Sequence, residues 1–227
     1  MSTQAPTTRR RWPWLVVAVL VVAAIIVGVI LAIGRGHSPL PRGHATYSPS
    51  ATPSSQNVDA APTGCLGGSN RDANMVLSAE KLAPHTSNGA VEVATAFVRW
   101  LNQYPYPAAN SYSEIQERGL ATSAQTKNLS SFFASDPNLS GGLVPNNTTY
   151  YLSTVPGVYH VESTSADSVS VSIGTGLVVQ GALSPTLRGS ITVTVHWERG
   201  SWKFVSSKGV RTTEDLYSIG TPFTAGC

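Results

Sequence analysis

The sequence predicts an α+β domain of the roll type, carried behind a membrane-spanning segment and a linker. Three observations predict this. Residues 14–33 carry no charged side chain, residues 34–64 are rich in Pro, Ser, Ala, Thr and Gly, and the rest changes from a helical to a strand period near Thr149. Helices followed by a long antiparallel sheet are typical of the α+β class. The 227 residues suffice for one medium-sized domain with attachments.

The charges follow the same division. The net charge is +3, but five of the 15 basic residues precede the domain, at Arg9, Arg10, Arg11, Arg35 and Arg42. From Cys65 onward, ten basic residues stand against eleven acidic ones. A near-neutral domain lacks the field that attracts phosphates, so we expect no nucleic-acid partner. The charged fraction of 12% also excludes a coiled coil.

The apolar segment is interpreted as a transmembrane helix over residues 12–34. Twenty residues from Trp14 to Ile33, at about 1.5 Å each, give roughly 30 Å, which matches a bilayer core. A cleaved signal peptide is the alternative, but residues 33–38 offer no small-x-small cleavage site. The arginines of residues 9–11 precede the span, so residues 1–11 are predicted to be a cytoplasmic tail. The protein is therefore expected in the cell membrane, with one span and an extracytoplasmic C-terminal domain.

Residues 35–64 are predicted to be a flexible linker, because they contain almost no large apolar side chain. The domain is expected over residues 65–227, with the two cysteines of the chain, Cys65 and Cys227, at its ends. Outside the cytoplasm this arrangement favours a disulfide. Closing a loop of that length contributes about 5 kcal/mol on the entropic model.

Three helices are predicted in the first half of the domain. After Gly89, apolar residues recur at helical spacing as far as Tyr104, and Pro105 and Pro107 end the helix. Capping-box patterns predict a second helix from Ser111 and a third from near Thr122 to residue 133 or 134.

Strands are predicted in the second half. Residues 149–154 and 157–163 have strand character, and residues 168–173 alternate strictly and continue through Gly174 and Gly176 to residue 180. Residues 190–198 form the first strand of a predicted tight hairpin that turns at 199–201 into residues 202–205. Glu214 and Asp215 fit either a helix start or a solvated turn.

No catalytic motif appears in the sequence. There is no G-x-S-x-G, H-E-x-x-H, Walker loop or C-x-x-C, and His85, His160 and His196 lack metal-ligand spacing. We therefore predict no enzyme activity, no cofactor and no metal. His196 is interpreted as a surface residue and His160 as semi-buried. An acid–base role for an inward-facing carboxylate is the competing interpretation, and Glu162, on the same face as Val158, is its candidate.

Tyr104 and Tyr106 form the one aromatic cluster with an exposed pattern, in Tyr104-Pro-Tyr106-Pro. Two interpretations stay open. The segment either ends a helix and packs on the core, or it serves as a partner-binding anchor, since tyrosine is favoured in interface hot spots.

The layout resembles a known family. A cytoplasmic tail, one span, a linker, helices and a hairpin of the form V-x-W-x-x-G-x-W-K-F, from Val195 to Phe204, resemble the bitopic inner-membrane component of type IV secretion and conjugation systems. The block from Arg211 to Cys227 and residues 65–68 are similar to membrane proteins of high-GC actinobacteria. The resemblance implies a nuclear transport factor 2-like (cystatin-like) domain. It also implies a scaffold that binds channel subunits and self-associates, with no catalytic residue to transfer.

Two functions are therefore expected from the sequence. The first is a non-enzymatic, membrane-anchored scaffold that binds other subunits of an envelope complex. The alternative is an extracytoplasmic protein that binds a small molecule or lipid in the pocket of the roll, lined by the apolar face of the sheet.

Overall fold

The structure is a computed structural model, and it describes residues 59–227. The predicted cytoplasmic tail, the predicted transmembrane helix over residues 12–34 and most of the predicted linker lie outside this range. None of the helices within residues 59–227 has the length and apolarity needed to cross a membrane.

The described residues form a mixed α+β domain. Its helices are α1 (Ala73–Leu82), α2 (Ser87–Leu101), α3 (Ala109–Arg118), α4 (Leu129–Ser135) and α5 (Thr213–Ile219). Its strands are β1 (Gln103–Tyr104), β2 (Tyr150–Thr164), β3 (Ser168–Val179), β4 (Ala182–Glu198), β5 (Ser201–Lys208) and β6 (Thr221–Pro222).

One antiparallel sheet, in the order β1-β2-β3-β4-β5 with β6 beside β2, curls into a half-barrel. Helix α2 packs across its inner face, where the Phe97 ring stacks on Phe204 with centroids 3.8 Å apart. The strict alternation of β3 places Val169, Val171 and Ile173 in this core, fully buried. This confirms the predicted α+β class and the inner face of β3.

Helix α5 covers part of the outer face. Gly174 makes this close approach possible, because a Cβ there would lie 2.9 Å from the Tyr217 ring and 3.2 Å from Leu216. Thr212 caps α5 by accepting a hydrogen bond from the Asp215 amide. Of the two interpretations of Glu214 and Asp215, the structure shows the helix start.

The helix predicted from Thr122 begins later, at Leu129. Residues 119–125 instead run beside β5, where the Ala121 amide donates to Phe204 O at 2.8 Å and the Gln125 amide donates to Val205 O at 2.9 Å. The cap of α4 is Asn128, whose side chain accepts from the Ser131 amide. Pairing with the edge of the sheet therefore overrides the local capping signal.

Helix α1 and the short strands β1 and β6 were not predicted, and three strands are longer than predicted. Strand β5 continues beyond residue 205 to Lys208. The two strands predicted on either side of Pro156 are one strand, because β2 keeps pairing with β3 beyond an irregularity between Ser153 and Val158. Strand β4 begins at Ala182 rather than at residue 190.

The folded part begins before residue 65, so the predicted end of the linker is corrected. The Glu92 carboxylate accepts hydrogen bonds from the Thr63 hydroxyl at 2.7 Å and from the Gly64 amide at 3.1 Å. The Thr224 amide donates to Pro62 O, and the Ala225 amide donates to Thr63 O. Buried hydrogen bonds of this kind fix the segment, which composition alone did not reveal.

A disulfide joins Cys65 and Cys227, with their Cα atoms 5.6 Å apart, as the sequence predicts. The Thr154 amide donates to Cys227 O, so the bridge also holds the C-terminal residues against β2.

The long strands give the domain two ends, since fifteen residues of β2 span up to about 45 Å. We call one the entry end: it holds the β2–β3 and β4–β5 turns and the α1–α2 loop, and Asp59 lies there, bonded to Thr86. We call the other the distal end: it holds the start of β2, the β3–β4 turn and residues 103–107.

Candidate functional site at the distal end

Tyr104 and Tyr106 lie at the distal end, half-buried against the core. The Tyr104 hydroxyl donates to Asn147 Oδ1 at 3.0 Å, and the Tyr106 hydroxyl donates to Asp136 O at 2.6 Å. The Tyr106 ring also packs on Phe133, with centroids 4.9 Å apart. Burial, and then the nearby Asp136, raise the pKa of Tyr106, so it stays a neutral donor.

Both interpretations of this segment therefore have a basis in its geometry. Helix α2 ends at Leu101, before the predicted end at Tyr104, because Gln103 and Tyr104 pair with β2. The rings do pack on the core. Pro105 between them is exposed, and each ring keeps part of its surface open. Partner binding at Tyr104 and Tyr106 stays a prediction.

A cavity of about 320 Å³ opens beside this segment, on the inner face of the sheet. Its floor consists of Leu152, Leu177 and Ile191, and the loop residues Leu139 and Leu143 form its rim. The volume lies at the lower end of the range usual for small-molecule sites. The apolar inner face was predicted from the sequence, but the loop that closes one side of the cavity was not.

Polar residues line the same cavity at slightly more points than apolar ones. They are Asn102, Ser140, Thr175, Arg188, Ser190 and Thr213. An apolar floor with polar walls suits an amphipathic small molecule better than a purely apolar one. A smaller cavity of about 110 Å³ is lined by apolar side chains of α2, α4 and β5, among them Phe97, Leu129 and Phe204, and by four polar residues.

Arg188 is the one cationic residue that lines the larger cavity. Its guanidinium donates to the carbonyls of Leu187 at 2.9 Å, Ser184 at 3.2 Å and Pro185 at 3.2 Å. These bonds hold an irregular stretch of β4, where Gly176 pairs with Arg188 but Val178 pairs with Leu183. No pattern in the sequence indicates this role.

Glu162, the candidate acid–base residue, lies on the outer face of the sheet, not inside the roll. Its carboxylate accepts from Arg211 Nη2 at 2.7 Å and from the Ser172 hydroxyl at 2.6 Å. The hydrogen bond from Arg211 is the main cause that lowers the pKa of Glu162. Glu162 shares a face with Val158, as predicted, but α5, not the core, covers that face.

Glu198 and Asp167 also have structural partners. Glu198 accepts from the Thr122 amide at 2.8 Å and hydroxyl at 2.9 Å, and the amide is the main cause that lowers its pKa. Asp167, in the β2–β3 turn as predicted, lies 3.0 Å from His85 Nε2.

The sequence does not indicate the buried pair of Glu80 and Lys203, because Glu80 lies in α1, which was not predicted. Lys203 Nζ donates to Glu80 Oε2 at 2.5 Å and to Arg118 O at 2.6 Å. Burial raises the pKa of Glu80 to about 7, although Lys203 acts in the opposite direction. Strongly shifted carboxyls occur in active sites and in structural ion pairs alike.

The histidines lie apart from one another. His196 is half-buried on the polar face of its strand, with Nδ1 3.2 Å from the Ser123 hydroxyl. His160 is half-buried, as predicted. Within residues 59–227, no three His, Cys, Asp or Glu side chains come together in a way that could hold a metal ion.

Comparison of the chain with family models, with curated proteins and with solved structures gives no match.

Proposed function

We propose that the protein is a non-enzymatic scaffold of a conjugation or secretion apparatus. In this proposal residues 12–34 anchor it in the membrane, and its extracytoplasmic domain binds channel subunits and further copies of itself. A half-barrel sheet with α2 across its inner face supports the finer proposal of a nuclear transport factor 2-like roll.

One observation carries the proposal, namely the separation of the two ends of the domain. Asp59, the first described residue, is bonded to Thr86 at the entry end. Tyr104, Tyr106 and the larger cavity belong to the distal end. In the proposal the distal end, away from the point where the chain enters the domain, is the surface that binds partners.

The segment through which the chain enters the domain is also firmly fixed. Glu92, Arg99 and the Cys65–Cys227 bridge hold residues 63–68 against α2 and the C-terminal residues. Such attachments suit a domain that binds other subunits while it is anchored in a membrane, because buried contacts transmit force from the linker to the core.

The proposal is tested by affinity purification of the full chain from gently solubilised native membranes, with mass spectrometry of the proteins that accompany it. We expect a transfer ATPase and multi-spanning channel subunits, and their loss in the Tyr104→Ala variant. Val210→Ala, at an exposed side chain, is the control. Recovery of the chain alone, as a monomer, contradicts the proposal.

The larger cavity favours a second candidate function, the binding of an amphipathic small molecule or lipid. The test uses Gly189→Leu, because a Cβ at Gly189 would lie 3.7 Å from Thr175 Oγ1 and the side chain would enter the cavity. Gly209→Leu is the control, since no atom lies within 4 Å of its added Cβ.

For this test the full chain is extracted with its surrounding lipid in polymer nanodiscs. Bound molecules are then identified by mass spectrometry. A species present in the wild type and in Gly209→Leu, but lost from Gly189→Leu, supports ligand binding. Equal recovery from all three contradicts it.

A further inference from the structure

The entry end carries an apolar patch, which we call the entry patch and define as Leu82, Pro84, His85 and Trp197. Leu82 is 63% exposed, more than any other large apolar side chain of the described residues. His85 stacks on the half-buried Trp197 with ring centroids 4.1 Å apart, and Trp202 Nε1 donates to Pro84 O at 2.9 Å. Isolated exposed apolar residues are ordinary, but apolar and aromatic side chains grouped at one end of a domain indicate a contact surface.

The chain enters the domain directly beside this patch. Asp59 Oδ1 accepts from the Thr86 hydroxyl at 2.5 Å, and Asn88 Nδ2 donates to Asp59 O at 3.2 Å. Thr86 is the neighbour of His85, so residues 1–58, with the predicted transmembrane helix, connect to the domain at the entry patch.

We propose that the entry patch rests on the surface of the lipid bilayer, with Leu82 and the ring of Trp197 at the interface. This inference rests on the membrane anchoring in the proposed function. Aromatic rings with a polar edge, such as tryptophan, are favoured at the boundary between hydrocarbon and headgroups.

The charges around the patch are compatible with a headgroup layer. The cations Lys81, Arg118 and Arg199 are nearly balanced by the carboxylates Asp59, Glu117, Asp167 and Glu198. Because the two signs nearly cancel, the contact depends mainly on apolar burial and is expected to persist at high salt.

The length of the connecting chain favours the bilayer over other occupants. The 24 residues between the predicted span and Asp59 would extend roughly 25–30 Å on average if they behave as a flexible coil. A tether of that length keeps the patch at a high effective concentration near the bilayer, so that a weak contact suffices.

The experiment uses the full chain, reconstituted into vesicles of neutral phospholipid. Both native cysteines are bonded to each other, so a single introduced cysteine carries the fluorescent label. Leu82→Cys reports on the entry patch. Leu183→Cys, 47% exposed and beside the β3–β4 turn, is the matched control at the distal end. Peptide mapping verifies that the Cys65–Cys227 bridge is intact in each variant.

Lipids that carry a nitroxide on the acyl chain quench a label that touches the bilayer. We expect several-fold greater quenching at position 82 than at position 183, in both low and high salt. Equal quenching at the two positions, or its loss in high salt, overturns the inference. Flotation of the vesicles provides the separate readout: a chain that does not float with them contradicts the membrane anchoring itself.

Discussion

Glu92 and Glu80 show two ways in which a carboxylate is held inside this domain. Glu92, 7% exposed, accepts hydrogen bonds from Thr63, Gly64 and Leu66 and so ties the entering chain to α2. Glu80 is 4% exposed, and its Oε2 accepts a hydrogen bond from Lys203. Its Oε1 has no hydrogen-bond partner within the described part of the chain. A buried charge with an unfilled acceptor is costly, which explains why the pKa of Glu80 rises.

Glu80 is therefore expected to make stability depend on pH. Burial raises its pKa in the folded state to about 7, above the ordinary value of 4.5. The folded state thus binds this proton more firmly than the unfolded state does. The protonated Glu80 therefore adds to the free energy of unfolding below about pH 4.5, and this contribution is lost as the pH rises through about 7.

The measurement is the free energy of unfolding in urea between pH 4 and about 8, for the wild type and for Glu80→Gln. We expect the wild type to lose stability relative to the variant as the pH increases. Glu117→Gln, at an exposed position, should follow the wild type at every pH. A wild type that gains stability relative to Glu80→Gln over this range would contradict the raised pKa.

Among the elements, α4 and the segment before it show how tertiary pairing selects between local signals. Thr122 begins a capping-box sequence, yet Glu198 binds its amide and hydroxyl and keeps it beside β5. The helix then starts where Asn128 accepts a hydrogen bond from the Ser131 amide at 2.9 Å. From there α4 contributes Leu129 and Phe132 to the smaller cavity.

Asn128→Ala removes this N-cap and should lower the free energy of unfolding by about 1 kcal/mol. Ser130→Ala, at an exposed position in the first turn of the same helix, is the matched control and should change stability by less than about 0.5 kcal/mol. The check is urea unfolding followed by tryptophan fluorescence. Equal stability of the two variants would show that Asn128 does not act as the cap.

For the whole molecule, the Cys65–Cys227 bridge closes nearly all of the domain into one loop. The two cysteines are 162 residues apart in the sequence. In the unfolded chain such a loop costs much conformational entropy, so the bridge stabilises the folded state by about 5 kcal/mol on the entropic model.

Reduction of the wild type, or the double variant Cys65→Ser, Cys227→Ser, is expected to lower the free energy of unfolding by up to that amount. Urea unfolding with and without reductant measures it. The double variant should not respond to reductant, which controls for other effects of the reagent. A wild type equally stable in both conditions would show that the bridge adds nothing to stability.

The sequence by itself determined the α+β class, the main helix, the inner face of β3, the terminal hairpin and the cysteine pair. Each of these depends on a periodic pattern of apolar residues or on residue type, both of which are local properties. The membrane span is a prediction of the same kind and lies outside the described residues. The scaffold function rests on a family resemblance and awaits its test.

Only the tertiary structure decided which face Glu162 occupies, where α4 begins and how residues 62–64 join the fold. It also decided that Glu80 meets Lys203, 123 residues later in the chain. The physical reason is the same in each case. A polar side chain or an unpaired strand edge takes its partner from a distant segment. Local patterns in the sequence do not indicate which distant segment this is.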